Sequence, residues 1–148
     1  MTDDNSGHTA GRVRVLIGIG SNTTDGAANV ARAAEALRAF AEPVGWSGVY
    51  ATEPLSGKGA PYSNAVAVVA TFLSLDELEL RLKRYEKENG RDAEARSRGE
   101  VSVDLDLVAY GHTILRPEEF TRPYFIKGLD RLPYDTWPGI GTQSPDIM

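Results

Sequence analysis

Arg98-Gly99-Glu100-Val101-Ser102-Val103-Asp104-Leu105-Asp106-Leu107-Val108 is the stretch whose reading decides the fold. From Val101 to Val108 the residues are mostly β-branched or apolar, the composition of a strand. Side chains alternate along a strand, so Asp104 and Asp106 share a face, roughly 6.5–7 Å apart along the backbone. Val103, Leu105 and Leu107 take the opposite face, toward a core. Two neighbouring carboxylates at the end of an otherwise buried strand are costly unless something neutralises them. A pair of hard divalent cations would do so, and Mg²⁺ takes one or two carboxylates together with substrate phosphates. The alternative is a strand with one wet face on which both acids are merely solvated. Asp-x-Asp alone leaves both readings open.

The rest of the chain bounds the choice. Its 148 residues suffice for one domain with a real core. Hydrophobic residues make up 41% and charged residues 25%, the balance of a globular chain that stays in water. No apolar run reaches membrane-spanning length, and residues 1–11 are polar, without the apolar centre of a signal peptide. The expectation is a cytoplasmic protein whose residues 1–11 form a disordered lead-in to a single domain over 12–148. Cysteine is absent, which excludes disulfides and thiolate metal sites, and His8 and His112 are too few for a multi-histidine site. The net charge of −5 disfavours general binding to nucleic acid or anionic membrane. The charge is uneven: residues 81–100 carry seven Lys/Arg against five acids. A basic segment running into an acidic pair suits a polyphosphate with metal, although helix-surface cations commonly just face water. Oligomeric state is not readable.

Outward from the Asp-x-Asp stretch, Arg12–Ile19 reads as a central strand ending in a tight turn at Gly18-Ile19-Gly20-Ser21-Asn22. That turn matches neither the dinucleotide fingerprint nor the P-loop lysine spacing. Val30, Ala33, Leu37 and Phe40 have helical spacing, so a helix is expected over about 26–40, capped by Thr24 or Asp25 and stopped by Pro43. Val44–Ala51 reads as a second strand, Thr52–Pro61 as a Gly/Pro-rich loop, and Tyr62–Thr71 as a third strand with Tyr62 and Asn64 on one face. Ser74-Leu75-Asp76-Glu77 is a capping box opening a second helix over 74–89, closed by a left-handed Gly90. Residues 90–100 form a charged loop, expected to be mobile. Val101–Tyr110 is the fourth strand, Gly111-His112 a turn, and residues 117–148 mostly irregular. The order β-α-β-β-α-β is the ferredoxin-like α+β plan: a four-stranded antiparallel sheet, two helices on one face and an irregular C-terminal extension. Such a fold by itself predicts no function.

With the motifs placed, the chain resembles the 6-hydroxymethyl-7,8-dihydropterin pyrophosphokinase family. The residues that carry the resemblance are Ile19-Gly20-Ser21-Asn22, Tyr50-x-Thr52-x-Pro54-Leu55, Tyr62-x-Asn64, Glu86-x-x-x-Gly90-Arg91, Asp104-Leu105-Asp106 and Arg122-x-Tyr124-Phe125-Ile126-x-x-Leu129. The resemblance implies Mg²⁺-dependent transfer of a pyrophosphoryl group from ATP to the hydroxymethyl of a reduced pterin, in folate biosynthesis. It implies two Mg²⁺ ions on Asp104 and Asp106, with ATP as co-substrate. It implies Arg91 and Arg122 as cations on the phosphates, joined by Glu86 in the ATP site, and Arg98 by position in the loop. For the pterin it implies Thr52, Pro54 and Leu55 at the pocket rim, Asn64 on the heterocycle's hydrogen-bonding edge, and Tyr62 and Tyr124 on its two faces.

The chain also departs from that pattern. Glu100-Val101 stands where the family has Pro-Arg, Arg98 where it has tryptophan, Ala93 where it has a second arginine, and Glu53 inside its Thr-Pro-Pro. The His-Pro segment before Arg122 is missing. These departures fall on the ATP side, and losing a guanidinium there removes a charge-assisted contact. The alternative function is therefore a catalytically impaired homologue that binds a pterin or related heterocycle in a binding or regulatory role. An RNA-binding sheet of the RRM type shares the strand order, but it needs aromatics on the central strands and a basic face, which this acidic chain lacks.

Overall fold

Strand β2, Arg12–Ser21, is the spine of the molecule: it pairs antiparallel with Tyr62–Thr71 on one side and Asp104–Tyr110 on the other. The computed structural model describes residues 8–9, 11–53, 61–90, 102–133 and 136–137. Around β2 lie β1 (His8–Thr9), β3 (Glu42–Trp46), β4 (Tyr50–Thr52), β5 (Tyr62–Thr71), β6 (Asp104–Tyr110) and β7 (Thr113–Ile114). They form one antiparallel sheet in the order β3-β5-β2-β6-β7, with β1 added to β2 and β4 to β5. Among the described residues the α-helices are α1 (Gly26–Ala36), α2 (Leu75–Glu88) and α3 (Pro123–Leu129).

Alternation along β2 divides the core in two. Val15, Ile17 and Ile19 face α1 and α2, where Val30, Ala33, Leu37, Leu78 and Leu82 join Leu105 and Leu107. Leu16 faces the other way, with Val66, Val68, Val108 and Ala109, against Phe125 and Trp137. Each helix is explained locally. Ser74 accepts from the Glu77 N–H at 3.2 Å while Glu77 accepts from the Ser74 N–H at 2.9 Å, which completes the expected capping box. Gly90 follows α2 with φ +108°. Helix α1 begins without a side-chain cap from Asp25; instead Thr23 Oγ1 accepts from Asn29 Nδ2 at 3.0 Å and contacts Ser21. Its last turn tightens into a 3₁₀ segment, Leu37–Ala39.

Five expectations are corrected. Among the described residues the sheet has seven strands rather than four, because short strands attach to it; one of them, His8–Thr9, was expected within the disordered lead-in. The strand expected to end at Ile19 continues through Gly20 and Ser21, because partners on both sides hold the backbone extended there. The single second strand is two, β3 and β4. Between them Ser47 Oγ accepts the Val66 N–H at 2.8 Å, a side chain doing the work of the ladder, and Gly48 sits at φ +81°. The Asp-bearing strand starts at Asp104 rather than Val101, which lies outside the described residues.

The fifth correction matters most for the site. Residues 117–129 are not irregular: a 3₁₀ turn, Pro117–Thr121, runs into α3. Each opens on proline, whose missing N–H would have no partner at a helix start anyway. What holds them down is tertiary. Phe125 is buried on the sheet, edge-to-face with Phe120 at 5.7 Å, and Arg14 donates to the Thr136 carbonyl at 3.1 Å. Gly128 lets α3 sit directly on the sheet, since a Cβ there would collide with Tyr50 and Val66. Gly128→Ala is therefore expected to cost about 2–3 kcal/mol through overpacking, against about 1 kcal/mol for loss of the cap in Ser74→Ala. Urea unfolding of the two variants checks the order; equal losses would mean that α3 does not press on the sheet as described.

Candidate functional site

The registers of three strand pairs place one row of residues across the sheet. Tyr50 faces Asn64, Asn64 faces Gly20, and Gly20 faces Asp104. One step along, Val66 faces Gly18 and Gly18 faces Asp106. Strands lie about 4.8 Å apart, so Asn64 and Asp104 stand roughly 10 Å apart across Gly20. The glycines keep that gap open. A Cβ on Gly20 would lie 2.9 Å from Asn64 Oδ1, and one on Gly18 would lie 3.4 Å from the Phe125 ring. A cavity of about 360 Å³ results, lined among others by Gly18, Gly20, Thr52, Tyr62, Asn64, Asp104, Asp106, Glu119 and Tyr124. Its size is that of a small-ligand site.

The polar groups are aimed. Asn64 Nδ2 donates to Thr52 Oγ1, which leaves Oδ1 over Gly20, facing the gap as an acceptor. Tyr124 Oη donates to Glu119 Oε1 at 2.9 Å. Tyr50 Oη donates to the Tyr124 carbonyl at 2.7 Å, tying α3 to β4. Lys127 and Arg131 stand over the Tyr50 ring at 5.6 and 5.2 Å. Burial pushes the Tyr50 hydroxyl up to about 12, partly opposed by Arg131, so it remains a donor. The Tyr124 hydroxyl is pushed up too, by burial first and by its bond to Glu119 second.

Asp104 and Asp106 lie together on the cavity face, as their spacing predicts. Asp106 is raised to about 7, chiefly by burial and then by the charge of Asp104; Arg116 opposes this, and Glu119 and Glu86 add to it. Arg116 Nη2 lies 3.6 Å from Asp106 Oδ1 with its side chain 45% exposed. A pair so long and so wet contributes about 0–1 kcal/mol, too little to offset burial of the carboxylate. The pair thus fits a divalent cation of the Mg²⁺ type, which accepts two carboxylates and completes its shell with water and phosphate. Among the described residues no cluster of three or more His, Cys, Asp or Glu could hold a metal, so a cage made wholly of protein ligands is not formed there.

The remaining expected residues divide three ways. Thr52, Tyr62, Asn64 and Tyr124 come together in the cavity with the aspartates. Glu86 is not in its lining: it is 8% exposed, and its Oε2 accepts the Leu105 N–H at 2.6 Å, holding α2 to β6. Arg122 is not in the lining either; it stands between the 3₁₀ turn and α3, where its charge is felt at Tyr124. Pro54, Leu55, Arg91 and Arg98 lie outside the described residues, as does most of the loop expected to be mobile. Ser102 Oγ donates to the Gly90 carbonyl at 3.2 Å.

Sequence reasoning missed Glu119, Arg116 and the floor made by Gly18 and Gly20. Gly-x-Gly inside an apolar run was the available signal, because glycine in a strand marks close approach of something to the backbone. No local signal marked Glu119 or Arg116: Glu119 reaches the cavity only because residues 117–129 fold back, and Arg116 stands at its edge, 3.6 Å from Asp106.

A protonatable, buried Asp106 makes the fold bind a proton that the unfolded chain releases near pH 4. That stabilisation is complete below the unfolded value and is lost as the pH rises through about 7. In chelator-treated protein, Asp106→Asn is expected to raise stability at pH 8 by roughly 2–4 kcal/mol and to change it little near pH 4. Urea unfolding at both pH values checks this; an equal effect at both would contradict it.

Comparison with known proteins gives the site a context. The family model for 7,8-dihydro-6-hydroxymethylpterin-pyrophosphokinase matches residues 16–133. A Haemophilus influenzae protein named 2-amino-4-hydroxy-6-hydroxymethyldihydropteridine pyrophosphokinase is 34% identical over 116 residues, covering 76% of this chain and 72% of the relative. A protein of the same name from Aquifex aeolicus is 30% identical over 122 residues, covering 81% and 76%. The folic acid synthesis protein fol1 of Pneumocystis carinii is 35% identical over 77 residues, 51% of this chain and 10% of the relative.

Proposed function

Because the chain belongs to the 7,8-dihydro-6-hydroxymethylpterin-pyrophosphokinase family, we propose that it transfers pyrophosphate from ATP to the hydroxymethyl group of a reduced pterin, in the ferredoxin-like frame expected of it. One observation carries the reading. Two adjoining rows, Tyr50–Asn64–Gly20–Asp104 and Val66–Gly18–Asp106, bring an amide acceptor and two carboxylates to one cavity.

In this reading the gap over Gly20 takes the flat ring edge-on to Asn64, whose Oδ1 accepts from the N–H groups of the heterocycle. Tyr62 and Tyr124 bound the ring by stacking, Tyr124 held in place by Glu119. The side of the ring bearing the hydroxymethyl then lies toward Asp104 and Asp106. Its oxygen attacks the β-phosphorus and gives up its proton to water, the bond from that phosphorus to the α–β bridging oxygen breaks, and AMP leaves with the bridging oxygen and its electron pair. Asp104 and Asp106 would hold Mg²⁺, two ions by family likeness, which supplies charge to neutralise the phosphates. The protein's share is mainly alignment, since such transfer asks for little covalent chemistry from side chains. Arg91, Arg98 and Arg122 complete the phosphate site, and Pro54 and Leu55 the pterin rim.

A second reading has one observation in its favour. Asp106 is already paired with Arg116, as in a homologue that binds a heterocycle and has given up phosphate transfer. Incubation with ATP, Mg²⁺ and 6-hydroxymethyl-7,8-dihydropterin separates the two. AMP is expected, with the rate falling roughly 10²–10³-fold in Asp104→Ala, the range for losing one preorganised charge-stabilising group. Pterin binding by calorimetry with no AMP would favour the second reading, and binding of neither ligand at millimolar concentration would sink both.

A further inference from the structure

The described lining of the cavity contains four carboxylates, Glu53, Asp104, Asp106 and Glu119, and no lysine or arginine. A nucleotide triphosphate entering such a cavity meets charge of its own sign. Cations must come in with it or be brought to it. Arg116 stands at the edge of this acidic group, within ion-pair distance of Asp106, although it is not part of the lining.

Its backbone is fixed and its head is loose. The N–H groups of Leu115 and Arg116 both donate to the Val108 carbonyl, at 2.8 and 3.2 Å, and the Arg116 carbonyl accepts the Glu119 N–H at 3.1 Å. These bonds pin the residue beside β6, two positions beyond Asp106. The guanidinium, by contrast, touches Asp106 through one nitrogen at 3.6 Å, too far for a hydrogen bond. Among the described residues no hydrogen bond holds its N–H groups. A guanidinium carries five such donors in a fork suited to phosphate oxygens. A long side chain anchored at its root, half in water and loosely matched to one carboxylate can change partner without rearranging the fold.

We propose that Arg116 is a charge-exchange residue: it rests loosely against Asp106 while the site holds no nucleotide, and moves onto the nucleotide's phosphate oxygens when a divalent cation takes the carboxylates. The inference rests on the pyrophosphokinase reading and adds a residue to it. The exchange has two consequences of opposite sign. Arg116 competes with a cation that arrives alone, and it assists a nucleotide that arrives with one.

Two calorimetric titrations test this: Mn²⁺ alone, and α,β-methylene-ATP in saturating Mg²⁺, each with wild type, Arg116→Met and Arg116→Lys. Methionine keeps much of the apolar stem and removes the charge. Arg116→Met is expected to bind Mn²⁺ several-fold tighter and the nucleotide about 10-fold weaker, the scale of one lost charge-assisted contact. Arg116→Lys restores part of both effects. Any other combination for Arg116→Met overturns the proposal, including loss of both affinities, the mark of a purely structural role. Asp104→Ala separates this failure from failure of the parent reading. If wild type binds both ligands, Asp104→Ala neither, and Arg116→Met behaves as wild type, the exchange alone is wrong. If wild type binds neither, both fall. Circular dichroism confirms folding of each variant, and Arg116→Lys carries the comparison if methionine disturbs it.

Discussion

The bare backbone of β2 at Gly18 and Gly20 sets the geometry on which the site depends. A strand buried between two partners normally fills both its faces with side chains. Here, on the face that carries Leu16, two successive positions are empty. The emptiness lets Phe125 come down on Gly18 and lets the Asn64 carboxamide lean over Gly20. It also leaves a cavity that Asp104 and Asp106 both line. Any side chain at Gly20 would press on Asn64 and close the gap in which a flat ring is proposed to lie.

The same gap concentrates negative charge. Sheet register brings Asp104 and Asp106 together, and the fold-back of residues 117–129 adds Glu119. The loose Arg116 contact does not balance them, and Asp106 answers by holding its proton more tightly. An arrangement that is poor for the isolated protein is good for binding a cation, because the cation supplies what the fold withholds. Burial of charge and capacity for ligand are here one property.

Residues 117–129 do two jobs. They complete the second core through Phe125, and they carry Glu119 and Tyr124 to the cavity. The Tyr50–Tyr124 and Tyr124–Glu119 hydrogen bonds link β4, α3 and the 3₁₀ turn into one wall. The wall cannot shift without disturbing the packing over Gly128, so stability and site geometry are coupled there.

Much was legible in the chain itself. The capping box, the apolar stripes and the two-residue alternation depend on neighbours a few positions away, and α2, β5 and the shared face of Asp104 and Asp106 follow from them. Alternation alone puts Tyr62 with Asn64, and Asp104 with Asp106, on one face, and all four line the cavity. What lay beyond that reach was decided in three dimensions. Whether Gly18-x-Gly20 is a turn or a strand depends on partners more than forty residues away on either side. Glu86, motif-matched to the nucleotide, bonds the Leu105 N–H. Residues 117–129, proline-rich and without strong periodicity, fold because the sheet face opposite α1 and α2 would otherwise be exposed. Local sequence determines which way a side chain points from its own element; only the packing of distant elements decides what it meets there.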